Sequence, residues 1–109
     1  MNKKLVRACE SFSEGNVETM VDFISPEVEW NIVGEKTITG LEDLLQFCEE
    51  MAEAGCPEFH NTHTTVSVSQ IVVEGSEQKE NGVFYCDSYT IAKGKIAEIR
   101  SYGIMPQSD

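Results

Sequence analysis

The chain predicts an α+β fold in which helices gather in the N-terminal half and an antiparallel run of strands fills the rest. Three observations carry this. Apolar residues recur at helical spacing over residues 3–14, 17–24 and 41–54. Val28, Trp30 and Ile32 alternate with Glu27, Glu29 and Asn31, the two-residue period of a half-buried strand. From Phe59 onward the chain is rich in Thr, Val and Ser and is broken only by turn signals. The expected order is α-α-β-α-β-β-β-β.

In the first helix Leu5, Ala8, Cys9 and Phe12 form one apolar face. Gly15 suits the left-handed residue that ends a helix, and Asn16 can cap the next one. That second helix is expected to bury Val17, Met20, Val21 and Ile24. Pro26 stops it, because proline lacks an amide proton and its predecessor avoids helical geometry. A strand with Trp30 inward follows, ended by Gly34, and residues 35–39 read as a loop running to Gly40. Leu41 to Ala54 is the clearest helix, with Leu41, Leu44, Leu45, Cys48 and Met51 on one side and Glu42, Asp43, Glu49 and Glu50 on the other. Gly55-Cys56-Pro57 closes it.

The stretch from Tyr85 to Tyr102 reads as two strands joined by a tight turn at Lys93-Gly94, and Glu80-Asn81-Gly82 is a hairpin signal before them. Val83, Tyr85, Asp87, Tyr89 and Ile91 share one face, apolar except for Asp87. A carboxylate in such a row is either a surface residue out of phase or an acid aimed into an apolar pocket. Between Phe59 and Glu74 no turn dipeptide stands out. Either one long bent strand lies there, or the chain turns at Ser67 to Gln70.

The chain has 109 residues, enough for one domain. Its net charge of −11, with only 8 Lys and Arg, argues against a nucleic-acid groove and against docking on anionic lipid. No apolar run reaches the roughly 20 residues of a membrane span, and the N-terminus lacks a secretion signal, so a cytoplasmic location is expected. Cys9, Cys48, Cys56 and Cys86 contain no CxxC pair and no zinc-type cluster. They are expected to be free thiols, with Cys9 and Cys48 in packing roles. No phosphate-binding Gly loop or metal-ligand cluster is present, so no cofactor is expected.

Four local signatures in this order carry a resemblance: Phe12-Ser-Glu-Gly-Asn-Val17, Ile24-Ser-Pro-Glu-Val-Glu-Trp30, Gly34 followed by Gly40, and Lys93-Gly-Lys-Ile96 with Tyr102. Together they resemble the nuclear transport factor 2-like, or SnoaL-like, superfamily, which includes ketosteroid isomerases, polyketide cyclases and scytalone dehydratase. The resemblance implies a single domain over residues 1–104 with a short tail at 105–109. It also implies a cone formed by a curved sheet around a long helix, an internal pocket, and homodimers through the outer sheet face. Ketosteroid isomerases place an oxyanion-hole Tyr on the first helix, where this chain has Ala8. Their general base falls on Asn31 or Ile32, and strand phase favours Ile32 as the inward residue. Their second oxyanion donor, a protonated Asp, falls on Asp87 if the turn before Gly94 is one residue shorter.

The candidate catalytic residue is therefore Asp87, and the candidate ligand-binding residues are Trp30, Ile32, His63, Tyr85, Tyr89 and Ile99. His60 and His63, three apart on a strand, should point to opposite faces, so that one of them can reach the pocket. In the last strand Ala97, Ile99, Ser101 and Gly103 suit the pocket side, leaving Arg100 and Tyr102 outside, where they suit a dimer interface. The leading reading is a small apolar or amphipathic molecule bound in the cone. An isomerase, cyclase or dehydratase using Asp87 as a single acid/base, and a dimerising module with a filled cone, are the alternatives.

Overall fold

The computed structural model describes residues 1–55 and 57–107. Helix α1 (Lys3–Ser13) opens on Asn2, whose side chain accepts the Lys4 amide, and it buries Leu5, Ala8, Cys9 and Phe12. Strands β1 (Ile24–Ile32) and β2 (Lys36–Thr39) precede helix α2 (Leu41–Ala54). Four strands complete the chain: β3 (Phe59–Val66), β4 (Gln70–Glu77), β5 (Phe84–Ala92) and β6 (Lys95–Ile104).

All six strands form one sheet in the order β2-β1-β6-β5-β4-β3. Neighbours are antiparallel except β1 and β6, which run parallel and bring the first strand beside the last. Helix α1 packs on the β3–β4 half and α2 on the β1–β2 half. The space left between the two helices, above the middle strands, is where the cavity forms.

Two expected elements differ. The second helix is a short 3₁₀ segment, Glu18–Phe23, and Ile24 already belongs to β1. Asn16 does accept the Glu18 amide at 3.0 Å, so the start is as read. The helix fails at its other end because Pro26 forces extended geometry upstream. Pro26 itself causes no loss, since β1 pairs with β6 at Ile24 and again only from Glu29. The expected loop at 35–39 contains β2, which pairs Ile38 with Trp30 and buries Ile38. Four residues are too few for a period to show.

The turn between β3 and β4 lies at Ser67 to Gln70, where the Ser67 amide bonds the Gln70 carbonyl at 2.8 Å. Between β5 and β6, Lys93 and Gly94 both have positive φ, 54° and 75°, the twist a two-residue hairpin needs. Ala97 is an extra residue in β6, because Thr90 faces Glu98 while Ile91 faces Ile96. The bulge corrects the expected phase: Ile96, not Ala97, joins Ile99 in the core. Cys9 is enclosed in that core, Cys56 lies outside the described residues, and so does the end of the expected tail, Ser108 and Asp109. Among the described residues no helix is long and apolar enough to cross a membrane.

Candidate functional site

Strand alternation turns Tyr85, Asp87 and Tyr89 of β5 toward the helices. Asp87 sits between Val73 of β4 and Ser101 of β6 and is only 7% exposed. It lies on the floor of a cavity of about 390 Å³, within the range of small-molecule sites. Phe12, Trp30, Phe47, Met51 and Phe59 supply much of the wall, and the rings pack edge to face. Phe12 and Trp30 have centroids 5.1 Å apart, Trp30 and Phe47 5.5 Å, and Phe59 and Tyr85 5.2 Å.

Burial raises the Asp87 carboxyl above the ordinary carboxylate range, because an ion removed from water loses its hydration. The nearby hydroxyls of Ser101, its register partner on β6, and of Ser13 pull in the other direction, favouring the ion. The surrounding polar groups are each engaged. Trp30 Nε1 donates to Ser101 Oγ at 2.9 Å. Ser13 Oγ lies 2.6 Å from the Tyr89 hydroxyl, which donates to the Cys9 carbonyl at 3.0 Å. The Tyr85 hydroxyl donates to Asn61 Oδ1 at 2.7 Å.

Of the residues singled out from sequence, Trp30, Ile32, Tyr85 and Asp87 line the cavity together. Ile32 does so and Asn31 does not, while Ala8 is enclosed in the core. Tyr89 and Ile99 are fully buried behind the lining, Tyr89 touching the site through Ser13. His63 is exposed, its Nδ1 3.0 Å from Thr62 Oγ1, and it is not part of the cavity wall. The expected opposition of His60 and His63 fails because Thr62 is an extra residue in β3, between the Asn61–Gly75 and His63–Glu74 pairs. Both histidines are exposed. Arg100 is exposed and lies outside the lining.

The sequence reading missed three polar lining residues: Glu35, which it placed in a loop, Tyr102, which it placed outside the pocket, and Ser13. The signal for Ser13 was present: it stands four residues after Cys9 and beside Phe12, on the buried face of α1. Phe47 was missed in the same way, one position before Cys48 on α2. The lining contains Asp87 and Glu35 but no Lys, Arg or His. Among the described residues no three His, Cys, Asp or Glu side chains converge as a metal ion would require.

Fold and site together define a cone-shaped α+β protein with an apolar cavity and a buried acid on its floor. A family model for the SnoaL-like domain matches residues 5–99, and the chain belongs to that family. No curated protein matches it in sequence. Among solved structures it is similar to an NTF2-like protein of unknown function from Cytophaga hutchinsonii, with 28% identity, a TM-score of 0.84, and 95% and 99% of the two chains covered. An NTF-2 like protein of unknown function from Burkholderia xenovorans shares 14% identity at a TM-score of 0.77, over 98% and 88%. An LEH-like epoxide hydrolase of M. tuberculosis shares 16% at 0.69, over 93% and 83%. The last two likenesses concern the fold.

Proposed function

We propose that this chain binds a small, uncharged, mostly apolar molecule in the cone and holds one acceptor oxygen of that molecule on the Asp87 carboxyl. The carrying observation is a carboxyl only 7% exposed at the floor of an apolar cavity of about 390 Å³. Counting protons narrows the ligand. The indole proton of Trp30 is spent on Ser101, that of Tyr85 on Asn61, and that of Tyr89 on Cys9. Ser13 and Ser101 also present hydroxyls on the floor, and a protonated Asp87 adds the acid proton that a guest oxygen can take. A ketone, ester or epoxide oxygen can accept it. An anionic guest would meet Asp87 and Glu35 with no cation in the lining to offset them.

The test is a thermal-shift screen of uncharged apolar ketones, esters and epoxides against the carboxylates of the same skeletons. Binding to the folded state alone raises Tm with ligand concentration. Uncharged compounds should shift Tm and their carboxylates should not. A flat response across the panel would remove the proposal.

A second reading makes the same site catalytic, with Asp87 giving a proton to the bound oxygen and taking one back. The raised carboxyl favours it, since a shift toward the working pH makes an acid a better donor and, once ionised, a better base. Asp87→Asn should then keep binding and lose turnover. A cone filled by side chains is disfavoured by the cavity volume.

Homodimerisation through the outer sheet face belongs to the same proposal. Phe84 pairs with Ile104 and Cys86 with Tyr102 on that face, and Phe84 and Ile104 are 53% and 61% exposed. A second copy of a chain with net charge −11 is most readily met through such an exposed apolar pair.

A further inference from the structure

We propose that the guest is an elongated molecule with one polar head and an apolar tail longer than the cavity, bound head down, with the tail leaving over an apolar rim. This rests on reading the cone as a binding site and adds the guest's shape and direction. The polar and apolar parts of the lining are ordered by depth. Ser13 and Asp87, only 6% and 7% exposed, lie deep, together with Ser101, the register partner of Asp87. The large lining residues that meet solvent are apolar: Val33, Met51 and Tyr102 are 37%, 38% and 38% exposed. Glu35 is the charged residue at that level, and it is exposed, so its carboxylate keeps its water.

Exposed apolar residues scattered singly need no explanation. These three come from three places, just past β1, the last turn of α2 and the end of β6, and they meet at one mouth. The rim is also built. The Val33 amide donates to the Ser101 carbonyl at 2.9 Å, which fixes Val33 beside Tyr102, and the Glu35 amide closes the turn on the Ile32 carbonyl at 2.9 Å.

Size sets the length of the guest. At about 30 Å³ for each water-sized group, a cavity of about 390 Å³ encloses about a dozen heavy atoms. A tail that continues beyond them covers Val33, Met51 and Tyr102 and gains burial at each methylene. Being uncharged, it is indifferent to Glu35 and to the net charge of −11. Polarity sets the direction. Reversed, the tail would press methylenes against the Asp87 carboxyl and take it from water with nothing in exchange. Head down, an acceptor oxygen meets the deep polar groups and the tail meets the rim.

The experiment is titration of the intact protein with straight-chain methyl ketones of about eight to about sixteen carbons, followed by Trp30 fluorescence. Affinity should rise about fourfold per methylene until about a dozen heavy atoms are enclosed, and about twofold per methylene beyond, where the tail is half covered. Val33→Thr combined with Met51→Gln changes exposed positions only and should flatten the second slope. In intermolecular NOE spectra of a long ketone, the methyl beside the carbonyl should contact the rings of Phe12 and Trp30, and the far methyl should contact Val33 and Met51.

A slope that ends at about a dozen heavy atoms overturns the proposal, as does a second slope that survives in the rim variant. Reversed NOE contacts overturn it too. So does an affinity that rises with protein concentration, since a second copy would then cover the rim. Short ketones that bind without further gain leave the binding reading standing and remove the elongated guest. If ketones of every length fail to bind, both fall.

Discussion

Tyr85 lies across Gly75, its register partner on β4, so closely that a Cβ on Gly75 would fall on the Tyr85 hydroxyl and ring and on the His60 carbonyl. The glycine lets an aromatic ring fold down over the sheet, where it packs on Phe59 and reaches Asn61. Gly75→Ala should therefore destabilise the fold by about 1–3 kcal/mol and displace the Tyr85 wall of the cavity. Chemical denaturation gives the first quantity, and the chemical shifts of the lining residues give the second.

Asp87 should make stability fall as pH rises. Its folded pKa lies above the unfolded value, so the folded state holds the proton more tightly. The contribution is complete below the unfolded pKa and is lost as pH rises through the folded one. Each unit of separation is worth about 1.4 kcal/mol. The stability of wild type minus that of Asp87→Asn, measured by urea unfolding at several pH values, should decline over that window and level off above it. A difference independent of pH would show that the carboxyl is not desolvated.

Trp30 is the chain's single tryptophan and lines the cavity, so its fluorescence should report occupancy directly. Uncharged ligands that raise Tm should shift or quench the emission with the same midpoint concentration. Trp30→Phe should lower stability through the emptied volume and through the unpaired Ser101 oxygen, by about 1–3 kcal/mol.

Asn61 ties three elements together. Its amide hydrogen bonds Glu14 at 2.8 Å, its side chain donates to the Glu10 carbonyl at 2.8 Å, and it accepts from Tyr85. Asn61→Ala leaves a half-buried carbonyl and hydroxyl without this partner, at a cost of about 1–3 kcal/mol. Because β3 is the sheet edge, amide hydrogen exchange should quicken there first.

Ile104→Lys places a charge on the exposed apolar pair with Phe84. If the outer face joins two copies, sedimentation should give a dimer for wild type and a monomer for the variant. Equal masses would place the contact elsewhere or remove it.

Much of this architecture could be read locally. Helix α2 was legible to the residue because a long apolar stripe and a terminal glycine both mark it. The inward phase of Tyr85, Asp87 and Tyr89 was legible because β5 alternates regularly up to the bulge at its end. What escaped were features set by partners distant in sequence. Strand β2 exists because Ile38 meets Trp30, and His63 is turned outward by one extra residue paired against β4.

Sequence by itself determined the fold class, the order of the main elements and the presence of an acid on an apolar strand face, since periodicity and turn chemistry are local. Only the tertiary structure decided that Ser13 of the first helix and Ser101 of the last strand meet that acid, and that the cone retains a cavity above it. Those contacts join residues 13, 87 and 101. The bulged β5–β6 pairing sets Ser101 opposite Asp87 and the packing of α1 across β3 and β4 carries Ser13 to the same cavity, and neither the bulge nor that packing leaves a mark in a short stretch of sequence.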